Sequence, residues 1–280
     1  MNIYLILILS FYILSYLIDL VANQLNIKAI TETIPDEFKD VYDSEKYKTS
    51  QQYLKENTRF DLISGTISMA TAIPFIIFGG FNVVDIMARS LSATVSSSIV
   101  TGLIFFGILG VASSLIGMPF TVYHTFVIEK KYGFNKTTVK TFIMDRIKMI
   151  GITVVFGAPI LAAILWFFES MGNTAWLWCW GVLTVFQLLM LWLVPTVIMP
   201  LFNKFEPLED GELKTKIEDY ADKEKFKLDG IFKMDGSKRS TKSNAFFTGI
   251  GSKRRVVLFD TLINNHTVPE LVGVLAHEIG

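Results

Sequence analysis

The sequence predicts a mainly α-helical, polytopic transmembrane bundle of five spans, followed by a small α+β domain. Three observations predict it. Five apolar runs each reach the roughly 20 residues that a helix needs to cross a hydrocarbon core about 30 Å thick. Only 19% of the 280 residues are charged and 51% are hydrophobic, against roughly 25% charged in soluble domains. The charge is also uneven, because residues 201–280 hold 13 of the 26 basic and 13 of the 26 acidic side chains. The formal net charge is zero, which leaves no basic field to hold nucleic acid.

The expected spans run approximately over 3–22, 62–84, 99–122, 147–168 and 174–201, giving a bundle over 1–201 and a polar domain over 202–280. The first span has no positively charged segment before it, so it reads as an uncleaved anchor rather than a signal peptide. Lys28, Lys39, Lys46, Lys48, Lys55 and Arg59 lie in the first loop, and Lys130, Lys131, Lys136, Lys140 and Arg146 in the third. By the positive-inside rule these loops are cytoplasmic, which places the N-terminus outside and residues 202–280 in the cytoplasm. Gly102, Gly107, Gly110 and Gly117 give the third span small-residue faces. Pro74, Pro159, Pro195 and Pro200 are expected to kink their helices, and Gln187 to face the bundle rather than lipid. The single cysteine, Cys179, excludes an intrachain disulfide and reads as a buried small hydrophobe.

In the polar part, Leu213, Ile217, Tyr220 and Ala221 recur at helical spacing within the charged stretch 210–226, predicting an amphipathic helix with one buried stripe. Strands are expected over 230–234, 243–248 and 255–259, the last two joined by a glycine-rich hairpin at 249–254. Lys253, Arg254 and Arg255 read equally as a headgroup patch or as solubilising charge.

A final helix starts at Thr267, because Thr267 and Glu270 have capping-box spacing and Pro269 is tolerated in a first turn. Leu271 to Ala276 carry no charge, so the helix is expected to be buried on most faces where His277 and Glu278 enter. An unpartnered buried imidazole and carboxylate are costly, and a metal is one compensation. In His-Glu-x-x-His, histidines four apart share a helix face and reach one Zn²⁺, while the Glu acts as base toward the bound water. Here His277-Glu278-Ile279-Gly280 is half of that pattern. On these residues alone, zinc and an incidental His-Glu pair on a capped helix both stay open. His124 reads as an interfacial hydrogen-bonding histidine and His266 as a solvated loop residue.

Four sets of residues resemble the type I CAAX prenyl protease family: Glu129 to Lys136 (EKKYGFNK); Pro200 to Leu213 (PLFNKFEPLEDGEL); Asp235 to Ser240 (DGSKRS) with Ser243 to Gly249 (SNAFFTG) and Val257 to Leu262 (VLFDTL); and Val274 to Gly280 (VLAHEIG). The resemblance implies an integral-membrane zinc endopeptidase cutting peptide bonds near the cytoplasmic face, the polar part being the start of its zinc-peptidase domain. It makes His277 the first ligand of one Zn²⁺ and Glu278 the catalytic base. Asn244, Ala245, Phe246 and Phe247 become the substrate-binding edge strand, with Asn244 and Ala245 nearest the scissile bond. Lys242 stands where some relatives carry histidine. The implied partners are the lipid bilayer and a peptide or protein substrate, with a prenylated C-terminal peptide suggested by the family name.

The second histidine and a glutamate ligand are expected beyond Gly280, so the chain reads as an N-terminal portion cut off inside the catalytic helix, without tight zinc binding or proteolysis of its own. Two other readings are a quality-control metallopeptidase of the HtpX kind and a non-catalytic membrane scaffold. The lack of a long acidic insertion favours a bacterial inner membrane over the endoplasmic reticulum.

Overall fold

A computed structural model describes residues 2–249 and 254–279, with the side chains of 278 and 279 outside the description. The hairpin connection 250–253 and Gly280 also lie outside it. The chain divides into two compact units, Met1–Tyr132 and Gly133–Gly280.

The first unit is helical: α1 (Ile3–Ala29), α2 (Ser44–Ile77), α3 (Gly80–Leu91) and α4 (Ser98–Lys131). Helix α2 has 34 residues, about 51 Å of ideal helix, well beyond the bilayer core. Its polar first half, starting at the Asp43 cap, accounts for the excess. The helix ends at Ile77, short of the Val84 boundary expected from the apolar run. Pro74 weakens the last turn, and Gly79 takes a left-handed φ of 77° that starts α3 afresh.

Polar groups tie α2 to the end of α4. Lys131 and the Tyr132 hydroxyl donate to Glu56 at 2.6 and 2.7 Å, and the Tyr53 hydroxyl donates to Glu129. His124 Nε2 lies 3.1 Å from Asn57 Oδ1, so the expected hydrogen bonding of this histidine is met.

The second unit begins with two long helices, α5 (Val139–Ser170) and α6 (Gly172–Phe202). They form a hairpin whose contact buries Phe167, Ala175 and Cys179. Each contains one π-helical turn, Thr153–Gly157 and Val194–Ile198. The cause is local: a proline ring displaces the carbonyl four residues earlier. For Pro159 and Pro200 those carbonyls belong to Val155 and Thr196, inside the two turns. Gln187 is exposed on α6.

After α6 come β1 (Phe205–Pro207), α7 (Glu212–Lys223), β2 (Leu228–Met234), β3 (Ala245–Thr248), β4 (Arg254–Phe259), α8 (Asp260–Asn265) and α9 (Val268–Ile279). The four strands form one sheet in the order β1-β2-β4-β3. The outer pairs are antiparallel, whereas β2 and β4 run parallel. Strand β1 was not anticipated, because three residues ending in proline give no alternation to detect. Pro207 sits where a missing N–H is harmless, on an edge strand.

Alternation sorts the sheet residues. Ile231, Ala245, Val256 and Leu258 turn to one face, where Ile217 of α7, Leu262 of α8 and Leu271 and Leu275 of α9 complete a dry core. The α7 stripe is as the spacing predicts, with Ile217 and Ala221 almost fully buried.

Candidate active site

Helix α9 is set by its cap and its stripe. The Thr267 backbone N–H and hydroxyl donate to Glu270 Oε2 at 2.7 and 2.8 Å. These bonds hold the Glu270 carboxyl below its ordinary value, the backbone donor having the larger effect. Leu271 and Leu275, one turn apart, are both 1% exposed. Val274 packs against the same core and Val272 and Ala276 are partly buried, whereas Gly273 and His277 are exposed. His277 lies two residues past Leu275, about 200° around the helix, which turns its imidazole away from the core. Glu278 belongs to the same last turn.

Strand β3 has a single neighbouring strand, β4, among the described residues, so it is an edge of the sheet. Helix α9 packs directly on it. The arrangement thus brings the His277-Glu278 helix and the Asn244–Phe247 segment onto one side of the domain. Asn244 is exposed, and its carbonyl accepts from Phe259 N at 3.0 Å. In an antiparallel ladder the backbone groups alternate in direction. With Asn244 facing β4, the N–H and C=O of Phe246 and Thr248 also face β4, and those of Ala245 and Phe247 face the open edge.

The side chains alternate as well. Ala245 is 5% exposed in the core, and Phe247 packs against that core and edge-on to Phe226. Phe246 turns to the opposite face and meets Phe259. There Phe246, Thr248, Phe232, Val257, Trp192 and Met199 are among the residues around a cavity of about 220 Å³, bounded by the end of α6.

Arg254 lies over the Phe226 ring, and Arg255 pairs with Asp229 at 3.1 Å. Both are engaged within the domain. Lys242, at the position where some relatives have histidine, has its ammonium over the Phe134 ring. His266 is an exposed loop residue, as expected, and its Nδ1 lies 3.1 Å from the Leu262 carbonyl at the end of α8.

The segment leading into β3 is held by a polar junction that the sequence reading missed. Arg239 makes a two-pronged pair with Asp145 of α5, at 2.8 and 2.9 Å, and also donates to Asn203 Oδ1 and the Phe202 carbonyl. Asp235 accepts from Lys204 N and Asn203 Nδ2. Ser237 donates to Asp260, and the Arg239 carbonyl accepts from Lys136 N. Gly236 is required here, because a Cβ would come within 2.5 Å of the Phe259 ring. The junction therefore joins residues from the resemblance stretches around Lys136, Asn203, Arg239 and Asp260. The only available sequence signal was an acid and an arginine in separate polar-rimmed stretches, 94 positions apart.

Among the described residues, no three His, Cys, Asp or Glu side chains are close enough to share a metal ion. His277 suits one position of a zinc site, but the described donors do not make a full ligand set.

Residues 23–204 match the family model described as CAAX prenyl protease N-terminal, five membrane helices, and residues 207–280 match peptidase family M48. The chain is 41% identical over 261 residues to CAAX prenyl protease 1 of Saccharomyces cerevisiae, covering 90% of this chain and 57% of that protein. It is 38% identical over 248 residues to a probable CAAX prenyl protease 1 of Schizosaccharomyces pombe, covering 85% and 52%. The crystal structure of S. mikatae Ste24p superposes with a TM-score of 0.93 at 38% identity, over 100% of this chain and 67% of that one. The chain thus spans little more than half the length of these two curated relatives. All three organisms are yeasts, so the expectation of a bacterial inner membrane finds no support. Five helices long and apolar enough to cross a bilayer, the superposition and the two family matches agree: this multi-pass membrane chain belongs to the CAAX prenyl protease family, peptidase family M48.

Proposed function

We propose that the complete protein is a zinc-dependent endopeptidase that cleaves an extended peptide near the cytoplasmic face, with prenylated C-terminal peptides as its substrate class. The packing of α9, which carries His277 and Glu278, directly on the open-edge strand β3 is the observation that carries this reading. An unpaired strand edge binds a peptide through its backbone. The outward N–H and C=O of Ala245 and Phe247 are the groups that do so here, and Asn244 and Ala245 lie nearest the bond to be cut. The names of the yeast relatives support the substrate class, and the lysine-rich loops support the cytoplasmic side.

His277 holds one position of the metal site, its partners coming from outside the described residues. When bound, zinc supplies a Lewis acid that polarises the scissile carbonyl and acidifies the attacking water. Glu278 accepts the proton from that water and returns it to the leaving amine. The Asp145–Arg239 junction fixes the entry to β3, so that the strand keeps its place beside α9.

The test is Glu278→Gln in the complete protein, purified in detergent and assayed on a prenylated peptide. Cleavage is expected to fall by at least about 10²-fold while metal analysis still finds one zinc per subunit; His277→Ala is expected to lose the zinc as well. Retained cleavage in Glu278→Gln, or wild-type protein without zinc, sinks the proposal.

A further inference from the structure

The cavity on the sheet face away from α9 has no part in the chemistry described so far, yet it runs up to β3, where Phe246 and Thr248 line it. A peptide that adds to the open edge must alternate its own side chains between the two faces of the sheet. Residues opposite Ala245 and Phe247 turn toward α9. A residue opposite Phe246 has its Cβ roughly 5 Å from that of Phe246 and turns with it, over the cavity.

The walls say what fits. Trp192, Met199, Phe232, Phe246 and Val257 present hydrocarbon. Arg255, also at the cavity, is paired with Asp229, so its charge is already answered and it gives no anion a reason to enter. A space of roughly 150 Å³ takes a benzene-sized guest, and this one is about 220 Å³. That suffices for an aliphatic or aromatic side chain.

We infer that this cavity is a specificity subsite for an uncharged apolar side chain of the substrate peptide, at the position that pairs with Phe246. The inference rests on the peptidase reading above for the identity of β3's guest. It makes selectivity alternate along the substrate, the cavity-facing position preferring Leu, Ile or Phe.

Two measurements on the complete protein test it. Peptides carrying a photoreactive phenylalanine at successive positions are irradiated with the Glu278→Gln protein, and the cross-linked residues are mapped by mass spectrometry. Every second position is expected to label Trp192, Met199 or Phe232. In wild-type protein, Leu at the labelling position is expected to raise kcat/KM over Gly at least about tenfold. Met199→Trp, which fills the cavity, should bring that Leu-to-Gly ratio close to one, and Phe246→Ala, which enlarges it, should shift the preference toward larger rings. Cross-links without alternation, or a ratio unmoved in both variants, overturn the subsite. Alternating cross-links with no cleavage by wild-type protein uphold the subsite and overturn the peptidase reading instead.

Discussion

The two faces of the four-stranded sheet are built from neighbouring residues of the same strands, yet they differ in kind. Toward α7 and α9, Ile231, Ala245, Val256 and Leu258 are no more than 6% exposed and meet leucines and isoleucines on every side. On the other face, Phe232, Phe246 and Thr248 stand half-buried around a cavity that ends at α6. Period-two alternation alone sends residues to one face or the other. What fills the space beyond them differs: helices with matched stripes on one side, and the kinked end of a long apolar helix on the other. A face packed to density holds the fold, whereas an incompletely filled face leaves room for a guest.

Substitution at matched positions breaks or sharpens this contrast. Leu258→Ala empties the dry face and is expected to cost about 4 kcal/mol, within the range for buried leucines. Phe232→Ala, one register position away on β2 from the pairing partner of Leu258, removes a larger side chain but from beside an existing void. Its cost is expected to be about 1–2 kcal/mol, since the ring already lacks neighbours on one side. Denaturant unfolding of the protein in detergent measures both. Equal losses at the two positions would mean that the cavity face is as tightly packed as the core face.

The next effect belongs to the junction that leads into β3. Asp145 and Arg239 are each 23% exposed, enough shielding for their two hydrogen bonds to count. Among the described residues, Asp145→Ala leaves the guanidinium with Asn203 and the Phe202 carbonyl, and is expected to cost about 3 kcal/mol. Replacing both partners, as Asp145→Leu with Arg239→Met, is expected to recover most of it, because no charge is then left half-buried. A double variant as unstable as the single one would show that the arginine acts mainly through its bonds to the end of α6.

What could be read from the sequence follows the same division. The long helices were legible because length alone identifies a membrane-crossing run. Helix α7 and strands β2, β3 and β4 were legible because stripes and alternation are local patterns. The edge position of β3 came from the family resemblance, and the sheet order agrees with it. Strand β1, the parallel pairing of β2 with β4 and the Asp145–Arg239 pair were not legible. Each depends on a partner distant in the chain, and Asp145 sits beside an apolar run, where it reads as a helix end. At the end of α9 the uncharged run from Leu271 to Ala276 suggested a helix buried on most faces; Leu271 and Leu275 are buried, Val274 packs against the same core, and Gly273 and His277 are exposed among the described residues.

The smallest expected effect lies at the start of the same helix, where Glu270 closes the cap. Its carboxylate takes hydrogen bonds from the Thr267 N–H and hydroxyl, which lower its affinity for a proton in the folded protein. The sign follows from linkage: a carboxyl that titrates lower when folded contributes stability at pH values above its unfolded value of 4.5, and that contribution disappears as pH falls through the folded value. Hydrogen exchange at the amides of Leu271 and Val272 reports the opening of this turn directly. Wild-type protein is expected to protect them better than Glu270→Gln at neutral pH, with the difference fading on acidification below the ordinary glutamate range. Leu275 is anchored by core packing rather than by the cap, so its protection should hardly respond. If the difference persisted unchanged in acid, the carboxylate charge would have no role in the cap, and the start of α9 would be held like its middle, by the dry face alone.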